Sequence, residues 1–314
     1  MAQIIATTNM KGGVGKTTLC VNLAACLARN FGKRVLVVDL DTQISATLSL
    51  MSPQDFVRCR KDKRTLRQLI SQVVEPGEPK LYDTSDVICS YVCQQKDLAL
   101  LPGNLDLYDD YIVSSALHHQ ALASGGEVDF EEAWSNFERN LVKTILAPLD
   151  KAYDYIILDC APGYNLLTRS SFVASDFYIL PAKPEPLSIA GIQLLQRRIS
   201  RLRKGYEGTP SAMEIELLGI VFTMSGNLFT SRYYNQVMQR VQQDFAEHQV
   251  FKTQIPNDTQ VARAVDTFMP VVLSNPNTSG AKAFVKLAGE FLQKLEFLGG
   301  VKEQKSGMSL ANMD

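Results

Sequence analysis

Residues 11–18 read Lys-Gly-Gly-Val-Gly-Lys-Thr-Thr and follow the apolar run Ile4-Ile5-Ala6 by a few positions. No other stretch constrains the fold as much. A glycine-rich turn between a strand and a helix aims several backbone N–H groups at one point, and the helix start adds its positive dipole end, so phosphate is held there. In such a loop Lys16 reaches the terminal phosphates and Thr17 offers a hydroxyl to magnesium. The spacing departs from G-x-x-x-x-G-K-S/T, because Met10 stands where the first glycine belongs and a second lysine, Lys11, heads the loop. Lys11, Gly12, Gly13, Val14, Gly15, Lys16, Thr17 and Thr18 are therefore the candidate nucleotide-binding residues. A glycine turn that merely joins strand to helix is the plainer alternative, and the complete motif between two clear elements outweighs it.

Leu19, Leu23, Cys26 and Leu27 recur at helical spacing, and Gly32 stops the helix. The next run, 34–39, is apolar on both faces, as in a parallel strand covered by helices on each side. Further strand candidates lie at 154–159, 177–181 and 217–223, with another at 98–101. Their alternation with helical stretches predicts an α/β fold, a doubly wound, mostly parallel sheet with helices on both faces. Ligands in such sheets bind beyond the carboxyl ends of the strands, where the phosphate motif falls. No linker divides the chain, so 1–314 reads as one domain with helical elaborations at about 52–97 and 110–140. The first elaboration holds a basic cluster (Arg58, Arg60, Lys61, Lys63, Arg64, Arg67) and a Pro-Gly-Glu-Pro turn at 76–79. The second has a Ser-Gly-Gly break at 124–126.

Two carboxylate motifs end apolar strands. Asp159 closes Tyr155-Ile-Ile-Leu-Asp159, and an acid at the end of a buried strand facing a phosphate loop commonly holds the magnesium shell. Asp39-Leu40-Asp41 alternates along an extended chain, so its two carboxylates point the same way. Like charges that converge repel unless a cation or a polarised water lies between them. Solvated acids that cap the following turns are the competing reading, since Asp is common where loops begin.

Composition narrows the partners. The net charge is −1 over 314 residues, so any nucleic-acid surface must be local. No apolar run approaches the roughly 20 residues that cross a bilayer. The start lacks the basic region and cleavage site of a signal peptide, which points to the cytoplasm. The six cysteines (Cys20, Cys26, Cys59, Cys89, Cys93, Cys160) form no Cys-x-x-Cys pair and read as reduced small hydrophobes. His118, His119 and His248 have no partner at ligand spacing and read as surface or packing residues.

With these residues in place the chain resembles the ParA family of partition ATPases, in the deviant Walker A class of P-loop NTPases that also holds MinD. The resemblance runs through Lys11–Thr18, Val37 to Gln43, Leu101-Pro102-Gly103-Asn104, Asp154 to Pro162, Leu180-Pro181 with Glu185, Ile255-Pro256-Asn257, and Pro276-Asn277 with Gly280-Ala281. Thr42 stands where the family usually has proline, a departure that touches loop stiffness more than chemistry. The resemblance implies ATP and Mg²⁺ as ligands and an ATP-bound homodimer in which Lys11 of each subunit reaches the partner's phosphates. It also implies that Lys16 acts in cis, that Thr17, Asp39 and Asp159 serve the metal, and that Asp41 positions the attacking water. Lys11, Lys16 and Asp41 are thus the expected catalytic residues, and Pro256 and Asn257 are placed near the adenine. The implied function is a nucleoid-associated ATPase with weak basal activity, stimulated by a ParB-like or other adaptor, that segregates or positions a plasmid, chromosome or large protein assembly.

Residues 188–204 carry a second signal. On a helix, Ile192, Leu195, Ile199 and Leu202 form one stripe and Arg197, Arg201 and Lys204 a nearly opposite one, with Arg198 on the boundary. A solvated basic face is the commonest meaning of such a stripe. The family resemblance instead implies non-specific DNA binding in this part of the chain, to which Arg232 and Lys252 are candidate additions. No helix-turn-helix precedes the phosphate loop, which argues against operator recognition. A MinD-like membrane regulator of division-site placement is the alternative. It needs an amphipathic C-terminal helix, and residues 302–314 are too polar for one, while Phe284, Leu287, Phe291 and Leu295 read as packed on the domain. No membrane partner is therefore expected. An iron–sulphur carrier would need bridging cysteines, and none follows Cys160. A metabolic ligase would leave Lys11 and the basic stripe without a role. The cluster at 58–67 reads as solvated surface or as an adaptor contact.

Overall fold

The computed structural model describes residues 1–74, 82–206, 213–225 and 231–311, with side chains for all of these except 231–233, 235, 242 and 299–311. The turn expected at 76–79 and the side chain of Arg232 lie outside the described residues. Eight strands form one sheet: β1 (Gln3–Thr7), β2 (Val35–Asp39), β3 (Cys89–Ser90), β4 (Leu98–Leu101), β5 (Tyr155–Asp159), β6 (Phe177–Ala182), β7 (Glu216–Ser225) and β8 (Ile255–Pro256). Their order is β3-β4-β2-β5-β1-β6-β7-β8, and every pair is parallel except β3–β4. The expected mostly parallel α/β sheet is thus observed, with two short edge strands added to it.

Alternation along the strands sends side chains into two separate cores. Leu36, Val38, Ile156, Leu158, Tyr178 and Leu180 face one layer, and Val35, Val37, Ile157, Phe177 and Ile179 face the other. The first layer is covered by helices that include Phe130–Leu146, Leu166–Ala174 and Pro186–Gly205. The second is covered by Lys16–Phe31 and Ser279–Ala311. Burial on both faces explains why these strands are uninterrupted apolar runs in the sequence.

Helix Lys16–Phe31 ends where expected, because Gly32 adopts φ 60° and Lys33 N–H closes onto the Leu27 carbonyl at 3.0 Å. Against it lies Ser279–Ala311, whose Phe284, Leu287, Phe291 and Leu295 are all buried, as their spacing predicts. The Phe291 ring meets Tyr155 edge-on at 5.6 Å. Phe291→Ala should therefore lower the unfolding free energy by about 3–5 kcal/mol, read from a urea titration.

The elaborations are helical. Pro53–Lys61, Leu66–Val74 and Thr84–Val87 fill the first, and Asp110–Ala123 and Phe130–Leu146 the second, separated where Gly125 and Gly126 take positive φ. His118 stacks on Phe130 with ring centroids 3.8 Å apart, a packing role. Among the described residues, no helix is long and apolar enough to cross a membrane.

Candidate functional site

The carboxyl ends of β2, β5 and β1 lie side by side, with Asp39 opposite Asp159 and Asp159 opposite Thr7. From Thr7 the chain turns through residues 8–15 into the helix that starts at Lys16. Gly13 and Gly15 take φ 68° and 81°, a region a side chain would strain. The turn is pinned at both ends. Asn9 Nδ2 donates to the Pro181 carbonyl at 2.8 Å while its Oδ1 accepts the Lys11 N–H at 3.0 Å. On the other side the Thr223 hydroxyl donates to the Val14 carbonyl at 2.9 Å.

Lys16 is buried, and its Nζ donates to the Lys11 carbonyl at 3.2 Å, inside the curve of the loop. Burial lowers its pKa, while the charges of Asp159 and Asp41 resist that. Thr17 Oγ1 donates to Asp159 Oδ2 at 2.7 Å. Burial pushes the Asp159 carboxyl well above the usual carboxylate range, and the neighbouring Asp39 adds to this against the Thr17 bond and Lys16. Its other oxygen, Oδ1, is buried with no hydrogen-bond partner. A buried carboxylate oxygen without a donor, beside a hydroxyl, fits a hard cation that prefers oxygen ligands. Among the described residues no three His, Cys, Asp or Glu side chains form a ready-made metal cage. Such an ion would complete its shell with phosphate and water.

Asp39 is wholly buried. Its Oδ2 accepts both the N–H and the hydroxyl of Thr47, each at 2.7 Å, and Oδ1 accepts the Asp41 N–H at 3.2 Å. Burial raises this carboxyl to about 6, with the Thr47 and Asp41 bonds pulling the other way. The Thr47 hydroxyl also accepts the Gly103 N–H at 3.0 Å. A side chain at Gly103 would start 3.0 Å from the Asp39 carbonyl oxygen, tighter than side chains usually approach, so glycine eases the close backbone approach there. Thr47→Val leaves that N–H without its acceptor and Asp39 with one donor fewer. A loss of about 1–3 kcal/mol in a chemical denaturation experiment is expected.

Asp39 and Asp41 converge, though by a turn rather than by the continued strand their alternation suggested. Asp41 Oδ1 accepts the Gln43 N–H at 3.0 Å, and Ile44 N–H closes onto the Asp41 carbonyl at 2.9 Å. Ile44 takes φ 49°, an unfavourable angle for a β-branched residue. Thr42 sits in this tight turn.

Lys11 points away from Lys16. Its Nζ meets Glu185 Oε2 at 2.9 Å, and both side chains are close to half exposed (49% and 44%). Glu185 stands at the N-cap position of helix Pro186–Gly205 without a side-chain cap bond, and the Lys11 bond holds its carboxyl below the usual range. That helix buries Ile192, Leu195 and Ile199 and leaves Arg197, Arg201 and Lys204 exposed, as the stripes predict. Arg198 turns inward. Its guanidinium lies 5.1 Å from the centre of the Tyr164 ring and reaches Met10 Sδ at 4.0 Å, while the Tyr164 hydroxyl donates to the Arg198 carbonyl at 3.2 Å.

Arg232 belongs to helix Ser231–Asp244, its side chain outside the described residues. Lys252 is exposed, pairs with Glu247 at 3.4 Å, and gives its N–H to Glu290 on the last helix at 2.6 Å. The adjoining Phe251 packs into the layer opposite the arginine helix. Ile255 pairs with Thr223, and the Asn257 N–H donates to the Ser225 carbonyl at 3.2 Å. Since Thr223 also holds Val14, the structure brings Pro256 and Asn257 to the same end of the sheet as the loop.

A family model for an AAA domain (AAA_31) matches residues 2–211. Soj, the sporulation initiation inhibitor protein of Bacillus subtilis, is 31% identical over 291 residues, covering 92% of this chain and 98% of Soj. The chromosome partitioning protein ParA of Myxococcus xanthus is 28% identical over 297 residues, covering 94% of this chain and 89% of ParA. The chain belongs to the ParA family of partition ATPases. Among solved structures, cobyrinic acid a,c-diamide synthase of Mycobacterium smegmatis with ADP and magnesium superposes with a TM-score of 0.66 over 94% of this chain and 96% of the synthase. At 24% identity that likeness concerns the ParA-family fold alone.

Within this ParA-family site, sequence reasoning missed Asn9, Thr47, Gly103 and Thr223 as structural supports. Asn9 and Gly103 stand beside or inside recognisable motifs but have no spacing that marks a hydrogen bond or a close approach. Thr223 joins the loop from 209 residues away.

Proposed function

We propose that this ParA-family chain, as one domain over 1–314, is an ATPase that closes into an ATP-sandwich homodimer and binds DNA irrespective of sequence. On the nucleoid it segregates or positions a plasmid, a chromosome or a large protein assembly, with a ParB-like or other adaptor stimulating a weak basal hydrolysis. The observation that carries this reading is the shared end of β1, β5 and β2. Lys16, the Thr17–Asp159 pair with its orphaned Oδ1, Asp39 and Asp41 all converge there. In this reading Lys11 through Thr18 wrap the phosphates and Lys16 neutralises the terminal ones from within the same chain. Thr17, Asp159 and Asp39 hold Mg²⁺ directly or through its waters, Asp41 orients the attacking water, and Pro256 and Asn257 border the adenine. Magnesium, when bound with ATP, supplies positive charge to the phosphate oxygens. Phosphoryl transfer needs charge placement more than covalent help, so a lysine contributed by a second subunit ties hydrolysis to pairing. Lys11, half exposed at the head of the loop, is that lysine, and Arg197, Arg201 and Lys204 form the DNA surface.

Gel shifts of a random-sequence duplex with ATP and Mg²⁺, with ADP, and without nucleotide test the reading. Retention should require ATP, and log affinity should fall linearly with log salt, with a slope of about −0.9 per neutralised phosphate. Equal retention in all three nucleotide states would overturn the coupling.

A further inference from the structure

Cys59 lies on helix Pro53–Lys61 and Cys89 on edge strand β3, 30 residues apart in sequence, and their Sγ atoms are 3.4 Å apart with one thiol hydrogen-bonded to the other. The other cysteines are placed differently. Cys20, Cys26 and Cys160 are fully buried, and Cys93 donates to the Leu50 carbonyl at 3.3 Å. Neither sulfur of the pair takes part in the nucleotide site.

Arg64 fixes the surroundings of the pair. Its N–H donates to the Cys59 carbonyl at 2.8 Å, its Nε to the Asp86 carbonyl at 2.8 Å, and its NH2 nitrogen to the Ile88 carbonyl at 3.1 Å. One residue, through its backbone N–H and its guanidinium, thus joins the end of the helix to the residue preceding Cys89 and brings a positive charge to both sulfurs. The shared hydrogen bond draws the Cys59 thiol down and Cys89 up, with Arg64 assisting at Cys59 while burial and the carboxylates of Asp55 and Asp62 oppose. A thiolate is the nucleophile of disulfide chemistry. Cys59 is buried and Cys89 half-buried, so a small oxidant reaches the pair from the Cys89 side.

We propose that Cys59 and Cys89 are a reversible oxidation site, closed to a disulfide by hydrogen peroxide, that staples the basic helix to the edge of the sheet. The Cys59 thiolate attacks one peroxide oxygen and the O–O bond breaks, giving a sulfenic acid and hydroxide, which takes up the proton the thiol released. The Cys89 sulfur then attacks Cys59 Sγ, the S–S bond forms, the S–O bond breaks, and water leaves with the Cys89 proton. Two thiols lose two electrons and the peroxide becomes two waters. A dithiol reductant reverses the step. Arg58, Arg60 and Lys61, exposed on the same helix and unused by the proposed ATPase cycle, become fixed to β3 in the oxidised form.

The test uses the full reduced chain and one equivalent of hydrogen peroxide, followed by thiol counting and peptide mass spectrometry without reductant. Two of the six thiols should disappear, in a single intramolecular Cys59–Cys89 link that dithiothreitol restores. In Cys89→Ser, Cys59 should stop at the sulfenic acid and be trapped by dimedone. A wild-type chain that keeps all its thiols, that links other cysteines or two chains, or that accumulates Cys59 sulfinic acid without a link would overturn the proposal. So would loss of two thiols in Cys89→Ser.

Discussion

Lys11→Ala is expected to bind ATP with little change in affinity, to stay monomeric at saturating ATP, and to retain DNA about 100-fold less tightly or worse. The first part follows from the loop. Lys16, not Lys11, occupies its interior, and the Lys11 N–H and carbonyl that hold Asn9 and Lys16 are backbone groups that alanine keeps. The fold should be indifferent too, because the exposed Lys11–Glu185 pair is worth about 0–1 kcal/mol. The weakened hold on DNA follows from pairing. Two basic stripes on one dimer bind with an effective concentration that a single stripe lacks, a gain of about 10²–10⁴. Sedimentation velocity with and without ATP, beside a gel shift, separates the parts. An ATP-dependent dimer of the variant would remove Lys11 from the interface. Loss of nucleotide binding would place its role within its own subunit.

How far the sequence disclosed this arrangement depends on the physical reach of each signal. Strands β1, β2, β4, β5, β6 and β7 were legible because burial on two faces leaves unbroken apolar runs. Strands β3 and β8 span two residues each and show no period at all. Asp39 and Asp159 were visible as strand ends, but only the order β2-β5-β1 makes them neighbours, and strand order is not a local property. Thr47 is an ordinary helix residue until Asp39 and Gly103 meet at its hydroxyl. The Cys59–Cys89 contact joins two elements that no spacing rule connects. Helical geometry put Arg198 on a boundary, and what settled its direction was Tyr164, delivered by the loop after β5.

That difference between Arg198 and its neighbours sets the second large effect. Arg201→Glu is expected to abolish retention of DNA in a gel shift while ATP affinity is unchanged. Arg201 is exposed, and the helix places it about 24 Å from Glu185, at 1.5 Å per residue. Reversal exchanges attraction to a phosphate for repulsion, twice per dimer, and whatever binding survives at low salt should have a slope smaller by about 0.9 for each phosphate no longer neutralised. Arg198→Ala should behave otherwise. Its guanidinium lies on Tyr164 and against Met10, so its removal loosens the seat of the loop, with a loss of about 0.5–2 kcal/mol in a thermal or chemical melt and an unchanged salt slope. If Arg198→Ala flattened the slope and Arg201→Glu left the shift intact, the phosphate surface would lie on the Tyr164 side of the helix and the outer stripe would be solvated charge.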